Sequence, residues 1–213
     1  MSIPELNKLW LYRIVHIDNL GYLLAHGMFH KTHENADPNY INIGDSVLIQ
    51  QRSEYNVGVN PPNGLLGDYV PFYFGPLSPM LFNIKTGYRG IEQREQQDIV
   101  YICCSVDSIL NHCEQWCFTD GHAKTAITEF YNDIDYLNQV DLQLAKQRYW
   151  NNTDEDFDRM RKKQAEFLVK HHVPSKCIGN IVVYNNDANQ KVSKLIKDLG
   201  LSIGVHTLKN FYY

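Results

Sequence analysis

Hydrophobic residues along the chain fall into short runs, separated by polar segments rich in asparagine, glycine and proline. Runs rich in β-branched residues predict buried strands, whereas apolar residues spaced three or four apart predict amphipathic helices. The predicted strands are LWLYRIVH, QQDIVYICCSV, WCFT, IGNIVVY and LSIGVHTLKNFYY. The predicted helices are SVDSILNHCEQW and ANQKVSKLIKDLG. This mixture, which has no internal repeats, predicts an α+β fold.

The segment HIDNLGYLLAHG predicts a strand that ends at His16, followed by a helix and a glycine stop. Asp18 or Asn19 is suited to cap the helix, because a short side-chain oxygen accepts a bond from an unsatisfied amide of the first turn. Gly27 is suited to end it, because glycine tolerates a left-handed backbone.

A polar region and a proline-rich block follow. Residues 29–68 predict loops that carry one small helix around Ile49. Five of the eight prolines lie between residues 61 and 80, in and before the proline-aromatic block DYVPFYFGPLSPMLF. Because proline lacks an amide donor, the block is predicted to be bent and not to form a continuous central strand or a helix. Alternation predicts that Phe72 and Phe74 enter the core while Tyr73 faces the other way.

Residues 125–165 are predicted to be mainly helical, and propensity extends this prediction to RKKQAEFLVK. There Glu166 is expected to be a surface carboxylate paired with a neighbouring lysine, unless the segment is a strand. The basic stretch from Arg159 to Lys176 holds six Lys or Arg residues against one acid, Glu166. It can receive phosphate or form a solvated helix face, and the solvated face is the commoner outcome.

Composition limits the class of protein. The 213 residues, of which 44% are hydrophobic and 21% charged, predict one globular domain over residues 1–213. There is neither a membrane-length apolar run nor a basic, apolar start, so no membrane association is expected. Five cysteines without paired spacing predict reduced thiols and a cytoplasmic location. No metal is expected, because His112, Cys113 and Cys117 lack a second ligand pair.

Net charge and motifs exclude further classes. A net charge of −4 argues against coating nucleic acid by charge alone. The chain has no G-x-G-x-x-G after a strand and no G-x-x-x-x-G-K-[ST], so the sequence supports neither a Rossmann site nor a P-loop for a nucleotide. It also lacks G-x-S-x-G and H-E-x-x-H, the marks of common hydrolases and metalloproteases.

Five segments together resemble the DarT family, the DNA ADP-ribosyltransferase toxins of DarTG toxin–antitoxin systems. They occur in the family's order: HIDNLGYLLAHG, NIGDSVLIQQR, GDYVPFYFGPLSPML, WCFTDGHA and QAEFLVKHHVP. The resemblance implies an ADP-ribosyltransferase fold, a split β-sandwich of two small sheets with surrounding helices. One position departs from the family pattern, since Leu77 stands where an arginine is expected, and this puts DNA affinity or sequence preference in doubt.

The resemblance also implies a site for NAD⁺, the ADP-ribose donor. The nicotinamide amide is expected at His16 and Ile17, with Asn19 and Gly27 nearby. Glu166 matches the catalytic glutamate, which holds a ribose hydroxyl and stabilises positive charge as the nicotinamide–ribose bond breaks.

Arg52 matches an arginine that approaches NAD⁺ and the target base, where a guanidinium can bind diphosphate in a forked geometry. Taken alone, Arg52 is merely a surface arginine.

Contacts with single-stranded DNA carry over from the family to Tyr73, Met80, Arg94 and His122. Aromatic and thioether side chains stack on splayed bases, which suits a single strand. The implied target is a base, thymine in the thymidine-modifying branch, and the implied partner is a macrodomain antitoxin of the DarG type. Two alternatives stay open: transfer to guanine, RNA or protein, and a catalytically silent module that binds single-stranded nucleic acid.

Overall fold

Ten strands and six α-helices lie within residues 5–213, the part of the chain that the structure, a computed structural model, describes. The strands are β1 (Trp10–His16), β2 (Met28–Phe29), β3 (Tyr69–Tyr73), β4 (Ile99–Ser105), β5 (Trp116–Thr119), β6 (Phe130–Tyr131), β7 (Glu166–Lys170), β8 (His172–Val173), β9 (Asn180–Val183) and β10 (Gly204–Thr207). The helices are α1 (Leu20–His26), α2 (Ser46–Ser53), α3 (Pro79–Thr86), α4 (Val106–His112), α5 (Arg159–Lys162) and α6 (Asn186–Asp198). The first four residues of the predicted domain lie outside the described range.

Eight strands form one sheet in the order β10, β9, β4, β1, β3, β7, β5, β6, while β2 pairs with β8 separately. Strands β1 and β4 pair along their whole length, from Trp10 opposite Ser105 onwards. In contrast, β1 and β3 meet at a single position, Tyr12 opposite Tyr73. The large sheet is therefore split at its middle into two four-stranded halves, which correspond to the two small sheets of the predicted fold.

The two faces of the sheet are packed differently. The back face carries one continuous core that spans both halves and is covered by α1, α4 and α6. On the front face, where Tyr12, Tyr73 and Glu166 lie in register, the apolar side chains form two separate clusters. One cluster lies under α3 and the other lies beside Val57 and Leu66. The continuous core thus holds the two halves together at the back, whereas at the front the halves are separate.

The proline-aromatic block builds this junction. Its first part is strand β3, an interior strand of the sheet, and its last part enters α3, so the block is not one continuous strand, but its prolines do not keep it out of the sheet centre or out of a helix. Arg13 Nη1 donates to the Pro71 carbonyl at 3.0 Å. Since N–H and C=O of one residue point the same way in an antiparallel strand, the missing amide of Pro71 faces β1, where the sheet splits and a donor is not needed.

After β3 the chain bends and enters α3, so the block as a whole is bent as predicted. Ser78 caps α3 by accepting from the Leu81 amide at 3.2 Å, and Pro79 occupies the first turn, where its missing amide has no cost. Phe72 and Phe74 are buried, as predicted, and Tyr73 is on the opposite face.

The first helix confirms part of its prediction. Strand β1 ends at His16, and α1 ends at Gly27, whose φ is +87°. Neither predicted side chain caps the helix: Asn19 instead holds Ile41, accepting from its amide and donating to its carbonyl, both at 2.9 Å. The small helix around Ile49 is present as α2, capped by Asp45.

The prediction that residues 125–165 are mainly helical is wrong. They contain β6, two short 3-10 helices (Ile134–Gln139 and Leu144–Lys146) and the single turn of α5. Asp133 and Asp141 accept hydrogen bonds from the amides of Asp135 and Leu144. Such local bonds compete with the helical pattern, which explains the turns.

The segment RKKQAEFLVK is a second departure from helix propensity. Helix α5 ends at Lys162, and Glu166 begins strand β7. Phe167, Leu168 and Val169 are fully buried between β3 and β5. Pairing on both edges and burial on both faces outweigh a propensity difference of well under about 1 kcal/mol per residue.

None of the helices within residues 5–213 has the length and apolar character needed to cross a membrane.

Candidate active site

Glu166 and Arg52 form a two-pronged ion pair on the front face, beside the junction of the two half-sheets. Arg52 Nη1 donates to Oε1 of Glu166 at 2.9 Å, and Nη2 donates to Oε2 at 2.6 Å. The side chains are 15% and 4% exposed, so the pair is nearly removed from water. Two residues that lie 114 positions apart in the chain therefore converge on one point.

The position of Glu166 is fixed by its backbone and by the turn after β5. Its amide donates to Thr119 Oγ1 at 3.0 Å, and Thr119 in turn donates to the Gly121 carbonyl at 2.6 Å. The Ala123 amide donates to Glu166 Oε1 at 3.1 Å. The carboxylate thus accepts from a guanidinium and from the main chain, which fixes its orientation before any substrate binds.

The ion pair keeps Glu166 ionised in spite of burial. Burial by itself raises the pKa of this carboxyl, but the charge and hydrogen bonds of Arg52, with contributions from His122 and the Ala123 amide, bring the pKa below its ordinary value. Burial works in the opposite direction on Arg52, and Glu166 more than compensates for it, so the pKa of Arg52 is raised. Glu166 is therefore a carboxylate at neutral pH.

His122 lies in the turn that follows β5, between Gly121 and Ala123. Burial, together with the charges of Arg52 and Lys124, lowers the pKa of His122 despite the nearby Glu166. The backbone of His122 is held on both sides, because its amide donates to the Arg161 carbonyl at 3.0 Å and its carbonyl accepts from Thr128 at 2.9 Å. The structure thus brings this residue to the Glu166–Arg52 pair as a neutral imidazole.

Tyr73 adjoins the same carboxylate, and Met80 adjoins Tyr73. Tyr73 is directly opposite Glu166 in the β3–β7 pairing, so the two side chains share a face. The Tyr73 hydroxyl contacts Met80 Sδ at 4.0 Å, and burial raises the pKa of Tyr73, which keeps its hydroxyl protonated. Of these two predicted DNA contacts, Tyr73 is therefore a neighbour of Glu166, and Met80 is a neighbour of Tyr73.

The residues predicted to hold nicotinamide lie along the split, away from the pair. His16 is four residues from Tyr12 on β1, which corresponds to about 13 Å of strand. Its Nδ1 accepts from the Asp18 amide at 3.2 Å, so the ring shapes the turn that begins at Ile17. His16 ends β1, whereas the Ile17 side chain packs in the core of the back face. The contact of both residues with NAD⁺ stays a prediction.

Asn19 and Gly27 have structural roles that explain their residue types. Asn19 anchors the segment around Ile41 through both of its amide atoms. A Cβ on Gly27 would meet the Val173 carbonyl at 2.5 Å, so the close packing of β8 requires glycine there. Neither residue is brought to Glu166, and their part in binding stays a prediction.

Arg94 and Leu77 complete the positions taken from the family. Arg94 pairs with Glu92 at 2.6 Å, outside the cluster around Glu166. Leu77 is buried with φ at +58°, between the hydroxyls of Tyr101 and Tyr213, which bond its amide and carbonyl. The departure from the family arginine therefore replaces a cation with a buried apolar side chain.

The basic stretch does not present the free positive surface that one interpretation required. Arg161 binds Asp120 and Asp158, and Lys162 binds Asp156. Lys163 is buried and donates to three main-chain carbonyls, and burial lowers its pKa to about 7. Lys170 donates to the Pro62 carbonyl. The cations of this stretch mostly serve the protein's own structure.

Several residues of the site were missed by sequence reasoning. The Ala123 amide and Thr119 hold Glu166, and Arg161 holds their turn. A main-chain amide has no side-chain signature, and Thr119 is an unremarkable strand residue. In the sequence Arg161 is one of several like charges, because nothing local places the distant Asp120 next to it.

A metal site is not found in the described part of the chain: no group of three or more His, Cys, Asp or Glu side chains there is arranged to hold an ion. The five cysteines are free and buried.

A family profile described as "ssDNA thymidine ADP-ribosyltransferase, DarT" matches residues 12–213. A curated relative, the DNA ADP-ribosyl transferase of Escherichia coli O127:H6, is 32% identical over 206 residues, which cover 97% of this chain and 94% of the relative. A second relative of the same name, from Thermus sp. (strain 2.9), is 34% identical over 190 residues, which cover 88% of this chain and 87% of the relative.

Two solved structures are similar over their full length. Thermus sp. 2.9 DarT in complex with ADP-ribosylated ssDNA has a TM-score of 0.88 and 31% identity, with 100% of this chain and 99% of that chain covered. The same protein in complex with NAD⁺ has a TM-score of 0.84 and 31% identity, with both chains fully covered.

Proposed function

The chain belongs to the DarT family of ssDNA thymidine ADP-ribosyltransferases, and we propose that Glu166 and Arg52 carry out its transfer of ADP-ribose from NAD⁺ to thymidine. The observation that carries this assignment is the paired, buried carboxylate and guanidinium at the junction of the split sheet. We also propose that the chain acts as a single ADP-ribosyltransferase domain.

Glu166 has the protonation state and the position that the reaction requires. The bond between ribose C1′ and the nicotinamide nitrogen breaks, and its electron pair leaves with nicotinamide. Positive charge then develops on the ribose, and a fixed carboxylate stabilises it without reorganising at that moment. Because Ala123 N–H and Arg52 bind Glu166 already, one oxygen remains oriented when Arg52 shifts one hydrogen bond to a substrate oxygen.

The acceptor step needs a base as well as an orienting group. As the ring nitrogen of thymine bonds to C1′, its proton must leave, and Glu166 is the ionised group that lies at the junction to take it. His122 is neutral beside it and can hold a base carbonyl by hydrogen bonding. Tyr73 and Met80 supply the aromatic and thioether surfaces on which a splayed base stacks.

The test uses purified protein, NAD⁺ and two oligonucleotides of equal length, one with and one without thymine. We expect nicotinamide release and a mass increase of the thymine-containing strand. Glu166→Gln removes the charge and keeps the shape, and we expect it to lower the rate by about 10²- to 10⁴-fold, the usual contribution of an acid–base group. Glu114→Gln, an exposed glutamate, is the matched control and should leave the rate unchanged.

Three outcomes would contradict the proposal. A Glu166→Gln enzyme with the wild-type rate would sink the catalytic assignment. Equal labelling of the strand without thymine, or labelling of RNA or protein instead, would assign another acceptor. Binding of the oligonucleotide without any nicotinamide release would identify a silent binding module.

We also propose that the chain is the toxin of a toxin–antitoxin pair that acts in the cytoplasm and is countered by a macrodomain antitoxin of the DarG type. DNA modification is harmful to a cell that cannot reverse it, which supports a toxin role. Five reduced thiols fit a cytoplasmic location.

A further inference from the structure

Lys124 lies in the turn that presents His122 and Ala123 to the catalytic carboxylate. It directly follows Ala123, whose amide binds Glu166. Its ammonium donates a hydrogen bond to the Gln51 side-chain carbonyl, and Gln51 is the neighbour of Arg52 on α2. Lys124 therefore bridges the two elements that converge on Glu166.

The charge of Lys124 is not neutralised, in contrast to the cations around it. Arg52 pairs with Glu166, Arg161 with two aspartates, and Lys162 with Asp156. Within residues 5–213, no carboxylate oxygen lies within 4.0 Å of the Lys124 ammonium, and the partner it has there is the neutral amide of Gln51. The whole chain carries a net charge of −4, but a free cation at this point gives the site a local positive charge.

Lys124 is accessible enough to bind a ligand, unlike a lysine that only anchors the fold. Its side chain is half-buried, whereas the buried Lys163 is surrounded by three carbonyls. One neutral hydrogen bond satisfies only one of the three ammonium donors, so two remain for an incoming group. The flexible stem allows the ammonium to leave Gln51 for a stronger acceptor.

We propose that Lys124 binds a phosphate group of a substrate beside the Glu166–Arg52 pair. A lysine ammonium is a compact point charge, so it can bind a single phosphate oxygen without the planar, forked geometry that an arginine uses. The inference rests on the proposed function, which provides two phosphate sources, the backbone of the DNA strand and the diphosphate of NAD⁺. Either source places an anion next to a cation that has no acid of its own.

The test measures binding of both substrates without turnover. Wild type, Lys124→Gln and Lys124→Arg are titrated with a fluorescent oligothymidine at several salt concentrations, and separately with NAD⁺ by calorimetry. Lys162→Gln is the matched control, since it removes the same charge from a lysine that already has a carboxylate partner. We expect Lys124→Gln to weaken one of the two ligands by about three- to tenfold, as for loss of one charged hydrogen bond near a surface. Lys124→Arg should keep most of the affinity.

The two arms identify the source of the phosphate. If it belongs to DNA, the slope of log affinity against log salt falls by about 0.7 in Lys124→Gln, and NAD⁺ binding is unchanged. If it belongs to NAD⁺, calorimetry shows the loss and the DNA slope is unchanged.

Unchanged affinities for both ligands in Lys124→Gln, or an equal loss in Lys162→Gln, would overturn the inference. That result is distinct from failure of the proposed function, in which the wild-type protein itself would not bind the oligonucleotide and NAD⁺.

Discussion

Two arginines of the molecule bind carboxylates in the same forked manner but serve different purposes. Arg161 binds Asp120 and Asp158 through three of its nitrogens and also donates to Thr128. Arg52 binds Glu166 alone, through its two terminal nitrogens. The Arg161 cluster therefore has its donors satisfied by the protein, whereas Arg52 keeps donor capacity that a substrate can use.

The two clusters also differ in net charge. Arg161 stands against two carboxylates, an excess of one negative charge, so an anionic ligand is repelled there. Arg52 and Glu166 balance each other, and Lys124 adds one positive charge beside them. The difference shows that the density of basic residues in the sequence is a poor guide to anion binding, because the partners of each cation decide its free charge.

The largest effect that distinguishes the two clusters is expected from Arg161→Met. It leaves Asp120 and Asp158 without a counter-ion, and breaking such a partly buried pair costs about 3 kcal/mol. The free energy of unfolding, measured in urea, should fall by that amount. Lys162→Met is the control, because Lys162 and Asp156 are more exposed, and its unfolding midpoint should not move. An equal midpoint for Arg161→Met and wild type would show that the Arg161 cluster does not hold the fold.

A smaller effect is expected from Gly121→Ala. The added Cβ would overlap the Arg161 guanidinium, and overpacking of this kind costs about 1–3 kcal/mol. Because Gly121 precedes the turn that supplies His122 and the Ala123 amide, nicotinamide release per folded molecule should also fall.

Gly21→Ala is its control, since the nearest atom to a new Cβ there is 3.9 Å away. Removing a glycine from α1 should stabilise the protein by up to about 1 kcal/mol. If both alanine variants behaved alike, close approach of Arg161 to Gly121 would not matter.

The last effect is a change in pH dependence, and it concerns the titration of Glu166. In the wild type its pKa lies below the ordinary 4.5, so the group contributes stability above that pH and loses it as pH falls through the folded-state value. In Arg52→Gln burial acts without the guanidinium, and the pKa should rise above 4.5. The pH dependence then reverses: the contribution of this group to the free energy of unfolding falls as pH rises through 4.5.

Carbon-13 NMR of the Glu166 carboxyl, with urea unfolding between pH 4 and 7, measures both quantities. If the carboxyl still titrated below 4.5 in Arg52→Gln, the low pKa of Glu166 would be due to His122 and the Ala123 amide and not to Arg52.

Much of the secondary structure follows from local sequence, with two exceptions. The apolar run of β4 and the periodic apolar positions of α6 (Ala188, Val192 and Ile196) predict their elements correctly, because burial on one face is encoded within a few residues. Helix propensity is wrong for β7 and for most of residues 125–165. Strand β7 is decided by pairing with β3 and β5, which are distant in the chain. In residues 125–165, local bonds from backbone amides to Asp133 and Asp141 compete with the helical pattern.

The proline-aromatic block shows the limit in another way. Its sequence indicates a bend and places Phe72 and Phe74 in the core. It does not indicate that β3 lies at the centre of the sheet, because Pro71 is tolerated only where the neighbouring strand turns away.

The sequence by itself therefore determined the α+β class, the glycine stop of α1, the bend of the proline-aromatic block and, through family resemblance, the choice of Glu166 and Arg52 as candidate catalytic residues. Only the tertiary structure decided that these two side chains meet at the split of the sheet, that Ala123 and Thr119 orient Glu166, and that Lys124 keeps a free charge while Arg161 does not. The reason is physical: apolar periodicity is written in neighbouring residues, whereas an ion pair depends on distance in space, and 114 residues separate Arg52 from Glu166.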